Sequence, residues 1–185
     1  MEAARVLPMS VADYLALEET SAVRHEFVAG EIHAMSGGSR AHNRIALNLA
    51  TAFQVGLRGG PCEVFISDFK VRLEVAREVF FYYPDVVVSC HPAEIEKYFL
   101  RSPTLVAEVL SPSTETIDRR EKHTHYRQAS SLEEYVLVAQ DRPELTLFRR
   151  ALDWQGEVFT SPDARVEFRS IAQSITLAEI YAGVF

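Results

Sequence analysis

The stretch Phe80–Ser113 reads FFYYPDVVVSCHPAEIEKYFLRSPTLVAEVLSPS. It holds two short apolar runs, Val86–Val88 and Leu105–Leu110. Continuous Val/Leu runs of this length, bounded by turn residues, suit strands of a sheet covered on both faces. Each run also carries a carboxylate where a buried strand tolerates none easily: Asp85 at the mouth of the first, Glu108 inside the second. A carboxylate among valines is costly unless a partner or a metal ion compensates it. Two of them on successive strands point to a shared task. The plainer alternative is a turn-capping Asp85 after Pro84 and a Glu108 paired with a buried arginine.

Working outward, Ser10 is a good N-cap for an amphipathic helix over VADYLALEE. VRHEFVAGEIHAM alternates like a hairpin with Ala29–Gly30 as its turn. Gly37–Gly38 breaks the chain, and Ser39 can cap a helix from about Arg40 to Leu57. Ile45, Leu49, Ala52 and Phe53 give that helix an apolar stripe, with His42 at its start. CEVFISDFKVRLEV reads as one long strand or two joined by a kink, with Phe69, Val71 and Leu73 inward and Asp68, Lys70 and Arg72 outward. HPAEIEKYFLRSP is a polar connection with room for a helical turn. SPSTET opens a helix running to about Gln128, LEEYVLVAQ is a further strand, and the remainder reads as hairpins closed by a short helix over ITLAEIYAGV.

The chain has 185 residues, 48% of them hydrophobic, with no repeat and no linker, so a single domain over residues 1–185 is expected. Strand neighbours mixed with one crossover helix indicate α+β, or mixed α/β. The formal net charge of −7 argues against nucleic-acid binding through bulk positive charge, though not against a local basic groove. Cys62 and Cys90, without CxxC spacing, read as two buried thiols in a reducing compartment. The N-terminal MEAARVLPMSVADYL has no apolar core of signal-peptide length, and no stretch has the length of a membrane span. The expectation is a cytoplasmic protein.

Pro84–Asp85 followed by Glu108–Val109–Leu110 resembles the PD-(D/E)xK nuclease superfamily. The wider pattern is similar to one branch of it, the Uma-two family of restriction-endonuclease-like proteins. The matching pieces are YLALEE, RHEFVAGEI, His42–Asn43, SDFKVR, YYPDVVV, AEVLSPST, then Asp118, Lys122 and Tyr126, and EYVLV, in order over about residues 10 to 140. The resemblance implies a restriction-endonuclease-like core: a mixed, mostly antiparallel sheet flanked by helices, here with an extra N-terminal hairpin and C-terminal strands. It implies an Mg²⁺-dependent endonuclease, with Mn²⁺ as a substitute, acting on nucleic acid and on DNA in particular. A homodimer is expected, and the FFYY cluster is either core or its contact surface. The other reading is a nuclease fold that has lost activity and serves binding or regulation.

The residues suit the chemistry that the resemblance implies. Mg²⁺ takes one or two carboxylates and keeps several waters. Asp85 and Glu108 supply those carboxylates, and the Val109 carbonyl a third oxygen. The usual motif lysine, two residues after the acid, is replaced by Leu110, so a cation must come from elsewhere. Asp118, Lys122 and Tyr126 recur at intervals of four and share one helix face, which makes Lys122 the first candidate. An ordinary surface ion pair is its plain alternative. Lys70 is the second candidate. Glu26 and His42 are auxiliary residues, Glu26 as a ligand through water and His42 toward phosphate or in proton transfer; a buried, hydrogen-bonded histidine is the simpler role for His42. A zinc hydrolase is disfavoured, because His123 and His125 lie two apart and no HExxH occurs.

Overall fold

The two apolar runs form adjacent antiparallel strands, β6 (Val86–Ser89) and β8 (Leu105–Leu110), with Val86 opposite Ala107 and Val88 opposite Leu105. Every residue of both strands is buried, as runs without polar alternation require. The computed structural model describes residues 8–91, 96–111 and 115–185. The expected turn in the His91–Pro103 connection falls partly on residues 92–95, and the opening of the next helix on 112–114, outside the described residues.

Ser10 caps α1 (Val11–Thr20), its hydroxyl accepting from the Asp13 amide. The hairpin β1 (His25–Val28) and β2 (Glu31–Ala34) turns at Ala29 and Gly30, both at positive φ. Ser39 caps α2 (Arg40–Gly56), whose buried face is Ile45, Ala46, Leu49, Ala50 and Phe53. A fully buried side chain of Leu or Phe size contributes about 1.5–3 kcal/mol, so this stripe holds α2 on its sheet more firmly than helix propensity would. The CEVFISDFKVRLEV segment divides into β3 (Glu63–Ile66) and β4 (Lys70–Val75). Ser67, at φ 39°, breaks it, and the two halves enter different sheets.

With β5 (Glu78–Tyr82), β7 (Phe99–Leu100), β9 (Glu134–Ala139), β10 (Leu145–Arg149) and β11 (Gly156–Phe159), the sheets among the described residues are as follows. One runs β11-β10-β9-β8-β6-β3 and the other β2-β1-β5-β4-β7, while β12 (Arg165–Phe168) and β13 (Gln173–Thr176) pair separately. The N-terminal hairpin is thus built into the second sheet. β8 and β9 are parallel, with Leu105 opposite Glu134, so the chain crosses over between them. The crossover contains α3 (Glu115–Ile117), a π-helical turn (Asp118–Lys122) and α4 (His123–Tyr126). A capped turn, α5 (Leu177–Ile180), follows β13. The fold is mixed α+β with mostly antiparallel sheets flanked by helices.

The period of two along β8 sorts its neighbours. Leu105, Ala107 and Val109 pack with α2, whereas Val106 and Leu110 join Tyr126, Leu132 and Tyr135 on the other face. Glu108 therefore projects toward the crossover.

Two expectations are corrected, and of two alternatives for the FFYY cluster the core one holds. Cys62 and Cys90 are disulfide-bonded, not separate thiols. The antiparallel register sets Glu63 opposite Ser89, so the flanking cysteines face each other across the strand ends. The inference of a reducing compartment loses its support with that pairing. Lys70 does not lie on a solvated strand face, because α1 and Tyr83 cover it and leave it 7% exposed. The FFYY run is wholly buried, which removes it as a contact surface for a second copy. Among the described residues no helix is long and apolar enough to cross a membrane.

Candidate active site

Asp85 and Glu108 meet where β6 begins beside β8. The Asp85 amide donates to Glu108 Oε2 at 3.3 Å, and the Val109 amide donates to Asp85 Oδ2 at 2.7 Å. The two carboxylates are thus tied through backbone, not opposed as an unmediated like-charge pair. From α2, His42 Nε2 reaches Asp85 Oδ2 at 3.1 Å. Burial works against the imidazolium, but the Asp85 hydrogen bond and charge outweigh it and raise the His42 pKa. Gly38 makes room for that ring, since a Cβ there would lie 2.8 Å from His42 Nδ1.

Lys122 enters from the π-helical turn. Its ammonium lies 2.8 Å from Glu26 Oε1, 3.3 Å from Asp118 Oδ1 and 3.4 Å from Glu108 Oε1. It also sits 5.4 Å from the centre of the Tyr82 ring. Burial penalises the charged lysine, yet Glu108, Glu26 and Asp118 overcome that and hold its pKa well above the ordinary lysine value. Burial pushes the Glu108 carboxyl well up, with Lys122 opposing and Asp118 and Asp85 adding to the rise. Asp118 Oδ1 is buried and, despite its closeness to the ammonium, has no aligned hydrogen-bond donor among the described residues.

The structure brings together Asp85, Glu108, Val109, Lys122, Asp118, Glu26 and His42. Tyr126 is fully buried below them, its hydroxyl without a hydrogen-bond partner among the described residues. Lys70 stands apart and donates to the Tyr83 hydroxyl at 3.2 Å, which itself donates to Glu18 Oε2 at 2.6 Å. Glu18 Oε1 lies 2.9 Å from His25 Nδ1. This second polar cluster escaped the sequence reading, because Glu18 is visible there only as part of the VADYLALEE helix. Tyr83 joins the clusters: its amide donates to Glu26 Oε1 at 3.4 Å. Ser39 and Gln140 were also missed; they hydrogen-bond to each other above the cleft. Only the cap role of Ser39 was visible locally.

The acid site opens into a cleft of roughly 240 Å³ walled by the Met35–Ser39 segment. Its donors are hard oxygens in excess of cations, with a buried carboxylate oxygen left unaligned, and this fits Mg²⁺. Among the described residues no three His, Cys, Asp or Glu side chains converge as a cage.

A family model with the description "Uma2: Putative restriction endonuclease" matches residues 11–178. The uncharacterized Synechocystis protein slr1290 is 37% identical over 179 residues, covering 95% of this chain and 93% of the relative. A second uncharacterized Synechocystis protein, sll1609, is 31% identical over 165 residues, covering 86% and 92%. A crystal structure of a "putative nuclease belonging to DUF820" from Anabaena variabilis aligns with TM-score 0.75 at 18% identity, covering 96% of this chain and all of that one. The likeness to that crystal structure is one of fold.

Proposed function

The chain belongs to the Uma2 family of restriction-endonuclease-like proteins, and from that premise we propose that it is an Mg²⁺-dependent endonuclease hydrolysing phosphodiester bonds of nucleic acid, with DNA as substrate. One observation carries the reading. The motif position after Glu108 is Leu110, buried in the core, yet the Lys122 ammonium reaches 3.4 Å from Glu108 Oε1 from the neighbouring crossover. A cation from the crossover is thus within reach of Glu108, which supports giving Lys122 the role of the replaced lysine.

Asp85 and Glu108 would hold the ion, with the Val109 carbonyl as a further oxygen. When bound, the ion supplies Lewis acidity toward the phosphate and a lowered pKa for a coordinated water. Lys122 stabilises negative charge that grows on the phosphate oxygens in the transition state. Glu26 and Asp118 fix the lysine by their contacts at 2.8 and 3.3 Å. His42 positions the Asp85 carboxylate. Lys70 takes no part, because its ammonium is directed to Tyr83.

The test is cleavage of supercoiled plasmid, single-stranded DNA and RNA with Mg²⁺ or Mn²⁺, beside an Asp85→Ala control. Cleavage by the wild type that the control lacks supports the reading. No cleavage by a wild type that still binds Mn²⁺ would leave a nuclease-fold binding protein.

A further inference from the structure

Four hollows adjoin one another through shared lining residues. The acid cleft shares Ser39 and Gln140 with a neighbour of roughly 400 Å³ floored by Leu110 and Ala139. On its other side it shares Gly37, Gly38, His42 and Asp85 with another of roughly 400 Å³. That hollow shares Arg24 and Asp68 with a fourth, of roughly 440 Å³, containing Lys70 and Tyr98. Linked through these residues they are read as one trench, with Asp85 and Glu108 among its lining.

We infer that this trench takes a single polynucleotide strand, extended along it and stacked on Tyr98 at one end; the inference rests on the phosphodiesterase reading and narrows its substrate. First, the centre is recessed: the side chains of Asp85, Glu108 and Lys122 are 17%, 4% and 7% exposed. A phosphate must descend past the Met35–Ser39 wall to reach them, which a flexible strand can do and a stiff duplex cannot without opening. Second, the trench carries both signs of charge. Arg24 and Lys70 are offset by Glu18, Glu19 and Asp68 in the same walls. Such a lining is poorly matched to a duplex, with two phosphates per base-pair step, and better matched to one strand. Third, Tyr98 is 50% exposed with the Lys97 ammonium 4.9 Å from its ring centre. An exposed ring beside a cation is the usual platform for an unpaired base, tolerant of sequence and of sugar type.

The experiment is fluorescence polarisation in EDTA with labelled oligothymidylate, oligouridylate and a duplex of equal length. Both single strands should bind about tenfold tighter than the duplex, and Tyr98→Ala should weaken them about five- to a hundredfold. Tyr98→Trp should restore binding, and Val158→Ala, on exposed β11 outside the trench, should change nothing. Equal or tighter duplex binding, an indifferent Tyr98→Ala, or no binding of any probe overturns the inference. Hydrolysis of bis(p-nitrophenyl) phosphate with Mn²⁺, a substrate too small to span the trench, tests the parent reading separately. An active wild type that prefers duplex sinks the strand inference alone. An inactive one that prefers single strands sinks the hydrolytic reading alone.

Discussion

Lys122 has two physical duties, and substitution should expose both. Its ammonium is buried against Glu26, Asp118 and Glu108. Removing one partner of a buried ionic cluster strands the others, at a cost of about 3–5 kcal/mol. Lys122→Met should therefore lose cleavage and also lower the unfolding free energy, measured by urea denaturation in EDTA, by that amount. Lys70→Met should retain cleavage, because its target, Tyr83, keeps its bond to Glu18. If Lys70→Met is inactive while Lys122→Met cleaves normally, the assignment of the cation is wrong. Glu108→Gln acts oppositely to Lys122→Met. It removes a carboxylate that burial and its acidic neighbours disfavour, and leaves Lys122 with Glu26 and Asp118, so melting in EDTA should hold or rise. Glu18 supplies a pH test away from the acid site. Burial works against its charge, but hydrogen bonds from Tyr83 and His25 win, and its pKa falls below 4.5. A depressed folded value means the stabilisation is complete above the unfolded value and is lost as pH drops through the folded one. The stability gap between wild type and Glu18→Gln should be widest near neutrality and close as pH falls below 4.5, as denaturation across pH would register.

At the scale of elements, two ties hold strands far from the acid cleft. Arg149 on β10 lies 3.1 Å from Glu134 Oε1 on β9 and donates to the Glu167 carbonyl at 2.7 Å. Glu134 also accepts from the Arg169 and Ser170 amides, so this buried pair docks the β12–β13 unit onto the main sheet. Arg149→Met should cost about 3–5 kcal/mol of stability, read by chemical denaturation, and leave Mn²⁺ binding by calorimetry unchanged. The Cys62–Cys90 bond closes a loop of 28 residues between β3 and β6. Loop-closure entropy for that length gives about 3–4 kcal/mol, so denaturation with and without reductant should differ by about that much. Free thiols found by alkylation of the unreduced protein would contradict the bond.

For the whole molecule, charge sets how nucleic acid can be held. With −7 overall, binding rests on a few local cations and not on a basic face. Arg119 on the crossover is already engaged by Glu115 at 2.8 Å, while Arg120 and Arg127 are exposed. Contact with about three phosphates of a single strand gives a log–log salt slope of magnitude about 2. A slope several times steeper, measured by titration at graded salt, would mean that a broad basic surface had been overlooked.

Local pattern by itself determined a good deal of this protein. The α2 stripe, the Ala29–Gly30 hairpin and the two buried strands follow from periods of 3.6 and 2 and from turn residues, which are properties of a backbone and need no partner. The motif pieces that carried the family resemblance are local too. Tertiary structure decided what covers each face. Lys70 alternates as a solvent-facing residue should, yet α1 and Tyr83 bury it. Glu18 ends a helix as a solvated acid should, yet Tyr83 and His25 claim it. The cysteines became partners only through the register of β3 on β6. That Lys122, and not Lys70, lies beside Glu108 has the same origin. Strand order places the crossover over the Glu108 face of β8, and that order depends on pairings between residues far apart in the chain, which no local period encodes.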